Sequence, residues 1–267
     1  MSVYLTVARH MFRRQSAYRT ATLAGGVTNT VFGIIRAYVL IALWQSRQPQ
    51  VRIDGYDVTD AVTFCFLSQA MIATVAIFGP PLELAERVRS GDVAIDLYRP
   101  ADLQLWCLAG DLGRMSFQVL ARSVPVFCAG ALLFSVRVPT SPVVWATTAV
   151  SVLLAVLVSF AIRYLVALSA FWLLDDRGVQ AGATALAMFF SGLTLPLVLF
   201  PGWLGTLAQA LPWAATVQVP ADVFLGRWTG WQAVGALAFQ LGWAALLLAT
   251  GRLVTAAARR RVVVQGG

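Results

Sequence analysis

The chain has 267 residues, of which 59% are apolar and 12% charged, and its formal net charge is +8. Soluble domains carry about twice that share of charge, so the composition excludes an ordinary soluble protein and points to an integral membrane protein. All 20 basic residues are arginine; a P-loop reaches nucleotide phosphates through a lysine, so an ordinary P-loop ATP site is excluded as well.

Residues 1–20 include VYLTVARHMFRRQSAYR, which interleaves Val3, Tyr4, Val7, Met11, Phe12 and Tyr18 with four arginines. That pattern suits a basic amphipathic helix lying in the membrane interface, with a solvated tail as the alternative. The apolar run that follows is longer than a signal-peptide core and has a long preceding segment, so cleavage is not expected. Runs of about 20 apolar residues span a bilayer as helices. Such runs are expected at Ala21–Trp44, Val58–Gly79, Trp106–Phe134, Val143–Leu174, Val179–Phe200 and Trp231–Val254. They are too long for the alternating strands of a membrane barrel. The expected fold is therefore an all-α membrane protein with six transmembrane helices, forming one domain over residues 21–267 after the N-terminal helix.

Between the second and third spans lies a charged island, residues 81–105. It holds Glu83, Glu86, Arg87, Arg89, Asp92, Asp96, Arg99 and Asp102, eight of the chain's 32 charges. Leu82–Ser90 reads as a short helix, with Glu83–Arg87 and Glu86–Arg89 at pairing distance along it. Gly91 suits the left-handed position that ends such a helix, and Asp92 can cap a following turn. The sequence VAIDLY then forms either a short helix or a brief extended piece before Arg99-Pro100 interrupts it, and Asp102 can cap the third span. An ordinary solvated loop is one reading. The other is a docking element, because Val93, Ile95, Leu97 and Tyr98 stand beside the charges and suit a partner's pocket. The connection Asp175-Asp176-Arg177-Gly178 reads as a tight turn that caps the fifth span or touches the same partner.

The third span carries Asp111, Arg114, Gln118 and Arg122. At about 100° per residue they fall within an arc of about 80°, one polar stripe. Arg163 of the fourth span lies at a comparable depth. Charged groups in a membrane face protein or water, so these five residues form a polar lining or an inter-subunit contact, or else their arginines snorkel to the headgroups. Arg36, in a span without an acid, needs a partner from elsewhere. Residues 201–230 are apolar but broken by Pro201, Pro212 and Pro220. Short re-entrant or interfacial helices fit them, with Trp203, Trp213, Trp228 and Trp231 as interfacial anchors. With both ends in the cytoplasm, twelve loop arginines fall inside and four (Arg47, Arg52, Arg137 and Arg227) outside, the expected bias. The positive charge then reports topology and lipid contact, not nucleic-acid binding.

No catalytic constellation is present. The only histidine is His10, and Cys65, Cys107 and Cys128 match no metal or disulfide spacing. Asp111 is the lone acid expected in a span interior, so a paired-carboxylate mechanism lacks its second member. No catalytic, metal or cofactor-binding residue is assigned.

The stretches GGVTNTVFGIIRAYVL at 25–40, ELAERVRSGDVAIDLYRPADLQ at 83–104, FWLLDDRGV at 171–179 and RRRVVVQGG at 259–267 resemble those of ABC-2 type transporter permease subunits. The closer likeness is to the bacterial viologen and multidrug exporter group. The resemblance runs over nearly the whole chain. It implies six spans, an N-terminal interfacial helix, a cytoplasmic coupling helix between spans two and three, and short re-entrant helices before the last span. It implies a separate ATP-binding subunit, carrying ATP and Mg, that docks on Glu83 through Asp102. It also implies a second permease chain, a distinct one in preference to a second copy, and export of an amphipathic or cationic substrate from a bacterial cytoplasm by alternating access. A stand-alone ion-coupled transporter or channel is the competing expectation; it needs a coupling acid, for which Asp111 is the one candidate.

Overall fold

The computed structural model describes residues 3–46, 52, 55–78, 82–173 and 176–260. Pro81, Arg47, Asp175, Arg261 and the rest of the C-terminal motif lie outside the described residues. Among the described residues the structure is helical, with no strand. The elements in order are α1 (Val3–Ser16), α2 (Arg19–Gln45), α3 (Val58–Thr74), α4 (Glu83–Ser90), α5 (Val93–Tyr98), α6 (Leu103–Gln118), α7 (Val124–Leu133), α8 (Pro142–Leu168), α9 (Arg177–Phe190), α10 (Gly202–Ala210), α11 (Gln218–Phe224) and α12 (Trp231–Arg259).

Among the described residues, four helices are long and apolar enough to cross a membrane: α2, the continuous run Leu103–Leu133, Pro142–Phe171 and α12. The second and fifth expected spans come out shorter. The α3 helix has 17 residues, about 26 Å against a hydrocarbon core of about 30 Å. It stops at Thr74, and Ala76 turns the chain with a positive φ of 51°. The α9 helix ends at Phe190 instead of Phe200, because Gly192 takes a left-handed φ of 86° and Pro196 follows.

The centre of the bundle is α3, with 14 of its 17 residues buried. Its Phe66 ring lies in the gap between α2 and α7, where a Cβ on Gly33 or Gly130 would come within 2.8 Å or 2.3 Å of ring carbons. The second body of packing joins α8 to α12. Polar side chains there bond across the interface: the Ser151 hydroxyl donates to Gln240 at 2.8 Å, and Tyr164 and Thr255 share a hydrogen bond of 2.9 Å. Such pairs satisfy polar groups that lipid could not.

The α1 helix does not simply lie apart at a surface. It packs along α6, where Gly113 would place a Cβ only 2.0 Å from the Ala8 carbonyl oxygen. Phe12 meets Phe117 edge-to-face, with centroids 5.6 Å apart. Glycine at this position permits backbone approach that any side chain would prevent.

Candidate functional site: a charged cavity between the helices

A cavity of about 1030 Å³ runs between α1, α2, α3, α4, α6 and the start of the break after α9. All five residues of the expected intramembrane set line it: Asp111, Arg114, Gln118, Arg122 and Arg163. Asp111, Arg114 and Gln118 lie within the regular helix α6. Residues Val119–Ser123 make a π-helical turn between α6 and α7, which Pro125 favours because it has no N–H to continue the α-helical ladder. The turn shifts Arg122 from the 100° register of Asp111, Arg114 and Gln118.

Asp111, 4% exposed, is held from two sides. Arg114 donates to one carboxylate oxygen at 2.8 Å, and Arg163 of α8 to the other at 2.5 Å. Arg114 also donates to the Ala73 and Thr74 carbonyls at 2.7 Å and 3.0 Å, oxygens freed by the end of α3. Arg163 therefore meets an acid across a helix interface. Gln118 reaches Gln15 of α1 at 3.3 Å. Arg122 donates to Asn29 of α2 at 3.0 Å, its guanidinium lying over Gly25, where a Cβ would be 2.7 Å from Cζ. Arg36 finds its partners on other elements: the Ser68 hydroxyl at 3.2 Å and the Thr194 carbonyl at 2.8 Å.

The charged island forms one end of the same cavity. Its course is helix α4, Gly91 at φ 84°, helix α5, then an extended Arg99 before Pro100. VAIDLY is therefore helical. Asp102 caps α6 by accepting from the Leu105 N–H at 2.8 Å. Asp92 does not cap α5; its carboxylate accepts from the Ser90 hydroxyl at 2.9 Å instead. Nor do the charges pair along α4. Glu83 bonds Arg14 of α1, and Arg89 bonds Asp176 ahead of α9. Arg87 takes Asp96 in a two-point contact, with Arg99 3.1 Å from the same carboxylate. The hydrogen bond to Asp96 raises the Arg87 pKa above the ordinary arginine value. Long-range partners won because the hairpin of α4 and α5 is pressed onto the bundle: Leu84, Ala85 and Val93 are buried against Phe160, Tyr164 and Leu168 of α8.

That packing divides the apolar residues of the island. Val93 is buried and Leu97 packs on the same core, so they are not available to a partner. Ile95 at 58% and Tyr98 at 75% exposure point outward, beside exposed Glu86, Ser90 and Asp92.

A second polar cluster at the opposite end of the bundle had no sequence signal. The Tyr56 hydroxyl bonds Asp222 of α11, and Gln218 donates to the Tyr56 oxygen at 3.1 Å and to Asp222 at 2.8 Å. Arg227 lies 3.3 Å from Asp222 and 4.0 Å over the Tyr56 ring. Asp60, within the second expected span, belongs to a capping box with Asp57 and pairs with Arg137 at 2.5 Å. Asp60, in the first turn of α3, and Asp222, in α11 outside the expected spans, are buried acids too, each already engaged by arginine. Among the described residues, no group of three or more His, Cys, Asp or Glu side chains is placed to hold a metal.

Apolar helices of bilayer length, arginine-bound acids between them, and a cavity that opens through the packing define a multi-pass helical membrane protein. The family described as ABC-2 family transporter protein matches residues 32–266, and the chain belongs to that family. The comparisons with curated proteins and with solved structures return no match. Members of this family are membrane subunits of transporters that generally work with an ATP-binding subunit, and are generally not catalytic themselves.

Proposed function

We propose that this chain is the membrane-spanning permease subunit of an ATP-driven exporter in a bacterial cytoplasmic membrane. In this reading α2, α3, α6–α7, α8, α9 and α12 are six spans, both ends of the chain are cytoplasmic, and α10 and α11 are re-entrant helices on the outer side. A separate subunit binds ATP and Mg and docks on α4–α5. A second, distinct permease chain completes the transporter. Alternating access then arises from rigid motion of α4–α5 passed to the spans.

The observation that carries the reading is how α4–α5 is anchored. The hairpin is tied to α1 through Arg14–Glu83, to the start of α9 through Arg89–Asp176, and to α8 by apolar packing. A partner that moves this hairpin therefore moves three membrane elements at once. Its outward face offers an aromatic and an aliphatic anchor, Tyr98 and Ile95, within a polar rim, the composition of a protein interface centre. The double engagement of Asp111 counts against the ion-coupled alternative, because a coupling acid must exchange its proton or cation.

The test is co-purification of the full chain with a co-expressed ATP-binding subunit. Tyr98→Ala with Ile95→Ser is expected to weaken that association by about tenfold or more, the ordinary effect of losing a hot-spot residue. Normal association and ATP-driven transport in the double variant would overturn the docking assignment. Transport by the purified chain without ATP would favour the ion-coupled alternative.

A further inference from the structure

The cavity of about 1030 Å³ is at the upper end of the roughly 300–1,000 Å³ typical of small-molecule sites. Its described lining includes seven arginines and three acids. Every one of those acids is already engaged: Glu83 by Arg14, Asp96 by Arg87 and Arg99, Asp111 by Arg114 and Arg163. Five arginines are thereby paired with acids, and the three carboxylates offset three of their five charges. The remaining two, Arg36 and Arg122, have only neutral partners among the described residues: Ser68 and the Thr194 carbonyl for one, Asn29 for the other. The Arg122 Nε and the nearby Gln118 Oε1 have no hydrogen-bond partner among the described residues. Neutral acceptors satisfy hydrogen bonds but do not offset charge, and an uncompensated cation away from water is costly.

Both residues bear on α2, Arg36 from the helix itself and Arg122 through Asn29, seven residues earlier. That spacing corresponds to about 10 Å along the axis. Between and around them the wall is apolar, with Phe32, Ile72, Phe78, Trp106, Met188 and Leu193. A cationic guest would meet no uncommitted carboxylate and two uncompensated guanidinium groups.

We propose that this cavity binds an anionic amphiphile, a carboxylate or phosphate head on an apolar body, with Arg36 and Arg122 supplying the charge that receives the head. The proposal rests on the transport reading for the role of the cavity and deepens it by assigning the substrate class. It runs against the cationic cargo that the family resemblance suggests.

The experiment uses the full chain in phosphatidylcholine nanodiscs, without ATP or a partner subunit. The probes are a fluorescent dodecanoate and a dodecylammonium carrying the same fluorophore. The dodecanoate is expected to bind in preference to the ammonium. Arg36→Gln and Arg122→Gln are each expected to weaken dodecanoate binding by about tenfold or more, as loss of a charged hydrogen bond does, and Arg122→Lys to restore part of the loss. Dodecylammonium binding as tightly as dodecanoate would overturn the proposal, and so would wild-type dodecanoate affinity in the folded double Gln variant. If the Gln variants do not fold, the two-probe comparison on the wild-type chain decides alone. Phosphatidylglycerol added to the nanodisc separates the sources: competition identifies a bilayer lipid as the anionic amphiphile, and retained dodecanoate binding identifies a soluble one. Because binding needs no ATP, anion binding with no ATP-driven transport would sink the exporter reading and leave this site standing, whereas ATP-driven export of the ammonium probe alone would do the reverse.

Discussion

Asp111 shows how one residue sets the local electrostatics. Its carboxylate separates two partly buried guanidiniums, those of Arg114 and Arg163. In Asp111→Ala these like charges would face each other without a counterion, and the expected loss is about 3–5 kcal/mol, the usual result of removing one partner from a buried ionic cluster. Asp111→Asn keeps the volume and a hydrogen-bonding oxygen and should lose less. Thermal unfolding of the detergent-purified protein reads both, and an Asp111→Ala melt equal to wild type would show that the two arginines reach water. At the other end of the bundle, Tyr56→Phe deletes the hydroxyl between Asp222 and Gln218. Leaving those groups one partner short should cost about 1–3 kcal/mol in the same assay.

At the scale of elements, two joints matter. The first is the α1–α6 contact. Gly113→Val places bulk where even a Cβ has 2.0 Å of room, so α1 must separate from α6; the expected outcome is protease cleavage within Val3–Ser16 that the wild type resists, and unchanged protection would mean that α1 shifts along α6 instead. The second joint is Arg89–Asp176, between α4 and the start of α9. Arg89→Ala removes the tie but leaves Ile95 and Tyr98 in place. The ATP-binding subunit should therefore still associate, with ATP hydrolysis no longer matched by transport. Loss of association instead would place Arg89 in the docking surface itself. Much of this element-level structure was legible locally. The left-handed Gly91, the Pro100 break and the Asp102 cap are decisions made within a few residues of chain. The partners of Glu83, Arg87 and Arg89 were not legible, since those depend on elements up to 87 residues away.

At the scale of the whole molecule, the proposed orientation in the membrane rests on the arginine bias, and it can be tested directly. With Cys65, Cys107 and Cys128 replaced by serine or alanine, Ser90→Cys should react with a membrane-impermeant maleimide only from the cytoplasmic side, and Thr229→Cys only from the other. Labelling of both from one side would refute the proposed arrangement. Both positions are exposed, so access is not limited by packing. The short helix α3 is explained at this scale as well. It is surrounded by protein along nearly its whole length, so the turn after it can place bare carbonyls against Arg114 where lipid would not accept them.

The sequence by itself determined the environment and the elements of this protein. Apolar runs of bilayer length, the absence of lysine, and the turn chemistry of the island act through solvation and local backbone preference, and both are properties of composition and short-range order. Tertiary structure alone decided which charges are spent. The π-helical turn before Pro125 holds Arg122, which meets Asn29 of α2, the packing of α8 brings Arg163 to Asp111, and the fold brings Tyr56 to Asp222 across 166 residues. The pairs Arg14–Glu83, Arg89–Asp176 and Arg163–Asp111 depend on distances of a few ångströms between elements, which no periodicity within one helix encodes. That is why five arginines of the cavity are paired with acids and two, Arg36 and Arg122, have only neutral partners among the described residues.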